Sequence, residues 1–125
     1  MKNILVLDDN KDILESVSTR LPQYVQGCTV ISASDGAQGE AILRSHAIDL
    51  VITDLSMPVM DGFMLIEHAK NQYPAVLICV MTANCSPEAI NRLRSMGVGR
   101  WIEKPFKVEK LARMVAEELD LKFND

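Results

Sequence analysis

Cysteine is scarce in this chain: three in 125 residues, at Cys28, Cys79 and Cys85. An odd count without a C-x-x-C pair fits neither a disulfide framework nor a zinc site. Cys28 and Cys79 lie in apolar runs and read as small buried hydrophobes. Cys85 falls in an expected loop, where an inert thiol is preferred to a reactive one. Basic charge is also in short supply. Thirteen Lys and Arg stand against seventeen Asp and Glu, a net charge of −4. That balance, with no basic arm and no zinc-finger spacing, argues against nucleic acid as a direct partner. No apolar run approaches a membrane span, and "MKNILVLDDN" is too short in its apolar part for a signal peptide. No membrane partner is expected, and a reducing cytoplasm is the default location. No repeat, linker or low-complexity tract is present, so residues 1–125 are expected to form one domain.

What is present is alternation. Ile4–Leu7, Val30–Ala33, Leu50–Thr53, Val76–Met81 and Trp101–Ile102 read as five strands. Near-continuous apolar runs among them suit strands buried on both faces. Helical patterns lie between. Leu14, Val17, Leu21 and Val25 share one face, although Pro22 is expected to kink or restart that helix. "DGAQGEAILRSH" gives a second helix, weakened by Gly39. Phe63, Leu65, Ile66 and Ala69 mark a third. In "SPEAINRLRSMG", Ser86 is the expected N-cap, Pro87 the first helical residue and Gly97 the stop. Val108 to Leu119 carries Leu111, Val115 and Leu119 at four-residue steps. Five β-α repeats imply a doubly wound parallel sheet with helices on both faces.

In such folds ligands bind beyond the carboxyl ends of the strands. Asp8 and Asp9 end the first run, Asp54 the third, Thr82 the fourth, and Lys104 follows the fifth. Pro58 and Gly62 break regular structure after Asp54. Each residue has a bland reading: a turn or helix cap for Asp8 and Asp9, a loop carboxylate for Asp54, a turn hydroxyl for Thr82, a solvated lysine for Lys104. Their coincidence at one rim favours a site. Close carboxylates repel one another, and Mg²⁺ relieves this with hard oxygen ligands. A carboxylate nucleophile, an ammonium and a hydroxyl beside such a metal describe phosphoryl transfer.

With "LVLDDN", "LVITDLSMPVMDG", "VMTA" and "EKPF" in this order, the chain resembles the receiver domain of two-component response regulators over essentially its whole length. It is similar to the single-domain chemotaxis type. The resemblance implies a flavodoxin-like (βα)5 three-layer sandwich with strand order 2-1-3-4-5. It implies a signalling switch that takes a phosphoryl group on Asp54 from a histidine kinase or phosphotransfer protein, and then favours a downstream partner. Beyond Mg²⁺-dependent self-phosphorylation and self-dephosphorylation, no enzymatic turnover is implied. Asp9, Asp54 and the backbone carbonyl of Ser56 correspond to direct Mg²⁺ ligands, with Asp8 acting through water. Thr82 corresponds to the switch hydroxyl, Lys104 to the phosphoryl-binding lysine, and Trp101 to a switch aromatic. A cis Lys104–Pro105 bond and room beside Ala83 are implied as well. Trp101 departs from the usual smaller ring. Ser56 and Asn84 occupy variable positions that tune phosphoryl lifetime.

Three other readings compete. A phosphatase of the haloacid-dehalogenase type also uses a strand-end Asp, but wants a second Asp where Ser56 stands. A nucleotide or flavin module needs a phosphate cradle, and "DDNKD" repels phosphate. A receiver-like scaffold that is never phosphorylated fits poorly with a complete acid set.

Overall fold

The structure, a computed structural model, describes residues 1–57 and 60–124. Pro58, whose break was expected from sequence, lies outside the described residues, as do Val59 and Asp125. In chain order the elements are β1 (Lys2–Leu7), α1 (Lys11–Tyr24), β2 (Cys28–Ala33), α2 (Gly36–Ser45), β3 (Leu50–Asp54), α3 (Gly62–Gln72), β4 (Leu77–Thr82), α4 (Pro87–Ser95), β5 (Trp101–Glu103) and α5 (Val108–Leu119). The strands form one parallel sheet in the order β2-β1-β3-β4-β5. This is the doubly wound order expected. Strand bounds differ from the sequence reading by one or two residues. The two-residue differences fall at the starts of β1 and β2, where exposed Lys2 and Thr29 interrupt the hydrophobic pattern.

Alternation along each strand splits the core in two. Ile4, Val6, Leu50, Ile52, Cys79, Met81 and Ile102 pack with α1 and α5 on one face. Leu5, Leu7, Val51, Ile78 and Val80 pack with α2, α3 and α4 on the other. All five residues of β3 are buried, because it is the middle strand and is covered on both faces. Buried on α5 are Val108, Leu111, Ala112, Val115, Ala116 and Leu119. Each fully buried Leu or Val there contributes about 1.5–3 kcal/mol of transfer free energy.

Two sequence expectations need correction. Of the kink or restart expected at Pro22, the restart does not occur, since α1 is one helix from Lys11 to Tyr24. The proline is exposed and stands in the last turn. Its missing N–H therefore removes only the bond to the Ser18 carbonyl, and its ring faces solvent. Gly39, read as a weakness in α2, is a close approach instead. A Cβ there would stand 2.2 Å from a Leu7 methyl, so α2 sits tight on β1 because that position has no side chain. At Cys85 the preference for an inert thiol stands. Burial and the nearby Glu103 carboxylate push its pKa up, away from the thiolate.

Candidate functional site

β1, β3 and β4 deliver their last residues to one rim. Parallel pairing in register sets Leu7 beside Thr53 and Asp54 beside Met81. Asp8 therefore emerges next to Asp54, and Thr82 one residue beyond. β5 brings Lys104 alongside, its N–H bonded to the Thr82 carbonyl at 2.8 Å. The Lys104–Pro105 bond is cis. After β3 the chain turns sharply. The Gly62 N–H donates to the Leu55 carbonyl at 3.0 Å. A Cβ on Gly62 would stand 2.2 Å from the Asp54 carbonyl oxygen and 2.7 Å from the Leu55 Cα, so only glycine lets α3 start this close to the end of β3.

The charges then meet. Lys104 Nζ lies 2.6 Å from Asp8 Oδ2 and 3.2 Å from Asp54 Oδ2. The other oxygen of Asp8 accepts from the Asn10 N–H at 2.9 Å. Asp8 thus serves the turn and faces the lysine at once. Asn10, not an aspartate, caps α1, accepting from the Asp12 and Ile13 N–H groups. Asp8 is fully buried and Asp54 nearly so, while Asp9 is exposed. Burial pushes the Asp8 carboxyl above the usual carboxylate range; Lys104 and the Asn10 N–H pull it back only in part, and Asp54 adds repulsion. Burial also pulls on the Lys104 ammonium, but the two carboxylates outweigh it and hold its pKa above the ordinary lysine range.

One carboxylate oxygen each from Asp8, Asp9 and Asp54 lies within 4.8 Å of the others. With all three ionised, three carboxylates face one ammonium, leaving two negative charges to be balanced. A hard divalent cation with oxygen ligands fits that donor set.

Thr82 is buried, and its hydroxyl is bonded within its own turn. Oγ1 accepts from the Asn84 N–H at 2.9 Å and donates to the Asn84 carbonyl at 3.2 Å. In this structure the bland reading, a turn hydroxyl, describes what Thr82 does. Ser56 is exposed, and with Asp54, Thr82 and Lys104 it lines a cavity of about 550 Å³. Trp101 sits outside the acid cluster on edge strand β5. It is half-buried against the core, with the Arg94 guanidinium 5.4 Å from its ring centroid.

Three further residues line this cavity: Asp61 and Arg92, which the sequence reading passed over, and Phe63, read there only as a helix-face residue. Asp61 carried a local signal, an Asp before Gly62 at a helix start, and it caps α3 by accepting from the Met64 N–H. Arg92 carried none, because its place depends on how α4 packs.

A parallel α/β sheet with three acids and a lysine at its carboxyl-terminal rim places the chain in a definite class of fold and site. The family profile described as "Response regulator receiver domain" matches residues 4–116. The chain belongs to this family, whose members are phosphorylation-based signalling switches in two-component systems. It is 35% identical over 117 residues to the response regulator GtcR of Aneurinibacillus migulanus, covering 93% of this chain and 47% of that protein. It is similar to the chemotaxis response regulator CheY4 of Vibrio cholerae, with a TM-score of 0.85, 31% identity, and coverage of 94% and 98% of the two chains. A CheY-like receiver domain protein of Methanospirillum hungatei gives a TM-score of 0.88 at 28% identity, covering 96% and 94%. The chain spans about half the length of GtcR. Among the described residues no helix is long and apolar enough to cross a membrane.

Proposed function

We propose that this chain accepts a phosphoryl group on Asp54 from a histidine kinase or phosphotransfer protein, in the cytoplasm, and passes the change to a downstream protein or domain. The observation that carries this reading is the Lys104 ammonium lying between the buried Asp8 and Asp54 carboxylates. A cation held there by two acids is already in place to meet phosphoryl oxygens.

Asp8, Asp9, Asp54 and the Ser56 carbonyl would hold Mg²⁺, which supplies charge neutralisation for a transferring phosphoryl group. The chain's own residues do the rest. Asp54 Oδ attacks phosphorus, the bond from phosphorus to the donor breaks, and its electron pair leaves with the donor. Lys104 then exchanges its ion pair with Asp54 for the new phosphoryl oxygens. Thr82 has a hydroxyl to offer only if it gives up Asn84, so its turn contacts are the ones exchanged on activation. The surface that changes is α4, β5 and α5, roughly Pro87–Met96 and Trp101–Leu119. A ligand shifts such an equilibrium only by its differential interaction with the two states, which here is the new anion at Thr82 and Lys104. Self-dephosphorylation by water is the reverse limb of the switch.

The test is labelling with acetyl phosphate, with and without Mg²⁺, followed by intact mass. One added phosphoryl group is expected, dependent on Mg²⁺ and absent from Asp54→Asn. Undiminished labelling in that variant, or labelling indifferent to the metal, defeats the assignment.

A further inference from the structure

The Arg92 guanidinium on α4 stands at the wall of the cavity that holds Asp54, Thr82 and Lys104. Its carbon lies 3.9 Å from the centroid of the Phe63 ring on α3, and Phe63 lines the same cavity. Arg92 is exposed, whereas Asp54 is buried, so the arginine marks the outer part of the cavity and the aspartate its inner part. Two carboxylates stand near enough in sequence or space to claim it. Glu88 is one helical turn back on α4, and Asp61 shares the cavity, where it accepts from the Met64 N–H. Neither makes an ion pair with Arg92 within 4 Å, and among the described residues no other acid does. Lys104, by contrast, is already committed to two acids. An aromatic face holds a guanidinium without consuming its N–H donors. Arg92 is therefore a cation laid on the Phe63 ring with its hydrogen-bonding edge available.

In-line transfer puts the leaving group on the side of phosphorus opposite the attacking oxygen. With Asp54 inside, the leaving group points into the open part of the cavity, whose wall Arg92 shares. A cavity of about 550 Å³ is far larger than the ~30 Å³ share of one water, so it has room for a phosphoryl group with a small leaving group attached. On this basis, and resting on Asp54 as the acceptor, we propose that Arg92 selects among small phosphoryl donors by pairing with the anionic leaving group of an acyl phosphate. With acetyl phosphate, the Asp54 oxygen bonds to phosphorus and the bond from phosphorus to the acyl oxygen breaks. The electron pair departs on acetate, whose growing charge meets the guanidinium fork. With phosphoramidate, the bond from phosphorus to an already protonated nitrogen breaks, and neutral ammonia leaves. Arg92 has no anion to hold in that case.

The experiment compares second-order labelling rates with the two donors, in Mg²⁺ buffer, for the unchanged chain and for Arg92→Ala, Arg92→Lys and Phe63→Leu. Thermal unfolding of each variant confirms folding. Arg92→Ala should lower the ratio of the acetyl phosphate rate to the phosphoramidate rate about five-fold, as suits one partly exposed charge contact. Arg92→Lys should keep part of the ratio, and Phe63→Leu should lower it less than Arg92→Ala. An unchanged ratio in Arg92→Ala overturns the proposal and leaves the guanidinium a packing group on Phe63. An equal fall with both donors also overturns it, since Arg92 then acts on the phosphoryl group itself. Either of those results leaves Asp54 standing as acceptor. If neither donor labels the unchanged chain, the Asp54 assignment fails and this proposal with it.

Discussion

The two ends of the sheet both carry polar side chains, and they use them in opposite ways. At the amino-terminal end, polar groups close backbone gaps. The Asn3 N–H donates to Asp49 Oδ2 at 2.8 Å, and its side-chain amide donates to the Ala47 carbonyl at 2.9 Å. The Asn124 amide donates to the Gln23 carbonyl, and its oxygen accepts from Gln26. These bonds satisfy chain ends and loops beside the sheet. At the carboxyl-terminal end, three carboxylates converge on one ammonium, and Asp8 is left with a raised pKa. Burying charge is costly even when it is paired. One end of the sheet is built for stability, and the other holds an arrangement that stability alone does not favour.

That contrast predicts which variants change chemistry and which change only folding. The largest effect is expected from Lys104→Met. It removes the cation from between Asp8 and Asp54, and labelling by acetyl phosphate should fall on the order of a hundred-fold, as for loss of one preorganised charge-stabilising donor. Time courses of intact mass measure it, and a fall below three-fold breaks the contrast.

Asp8→Asn acts in the other direction on stability. The folded pKa of Asp8 is raised, so ionising it costs folding free energy. Its contribution is fully present below the unfolded value of about 3.9 and is lost as pH rises through the folded value. In metal-free urea unfolding, Asp8→Asn should be more stable than the unchanged chain at pH 7, by about 1 kcal/mol, with a flatter pH dependence from about pH 4 upward. Lower stability at pH 7 would show that the Lys104 pair outweighs the burial.

At the opposite end, Asp49→Ala removes the acceptor for Asn3. It should cost about 1 kcal/mol in the same unfolding experiment and leave labelling rates unchanged within error. A labelling defect there would mean that the two ends are coupled.

The smallest expected effect is optical. Trp101 is the single tryptophan, half-buried on an edge strand under Arg94. Mg²⁺ with beryllofluoride should shift its emission or its access to a quencher in the unchanged chain and not in Asp54→Asn. No change at saturation would assign Trp101 to packing, and leave the Thr82–Asn84 turn as the moving part.

Much of this was legible in the sequence because burial on both faces writes itself as a continuous run. Leu50–Thr53 gave β3 within one residue, and Ser86, Pro87 and Gly97 punctuated α4. The stopping points of the runs brought Asp8, Asp54, Thr82 and Lys104 to one rim, because parallel register makes strand ends neighbours. What stayed hidden depended on packing or on a side-chain choice. The Asp8–Lys104 contact joins residues 96 apart. Thr82 could face the acids or its own turn, and no pattern distinguishes the two. Pro22 did not restart α1, since in the last turn little helix follows it and its missing N–H costs one bond. Arg92 looked like one more surface arginine until α3 and α4 set it over Phe63.

The most direct test of the central claim is to find the carboxyl that carries the phosphoryl group. After reaction with acetyl phosphate and Mg²⁺, borohydride reduces an acyl phosphate to an alcohol, and peptide mass spectrometry then reads which residue was converted. Conversion at Asp54 alone is predicted. Conversion at Asp8, Asp9 or Asp61 instead, or none under conditions where intact mass shows labelling, would contradict it.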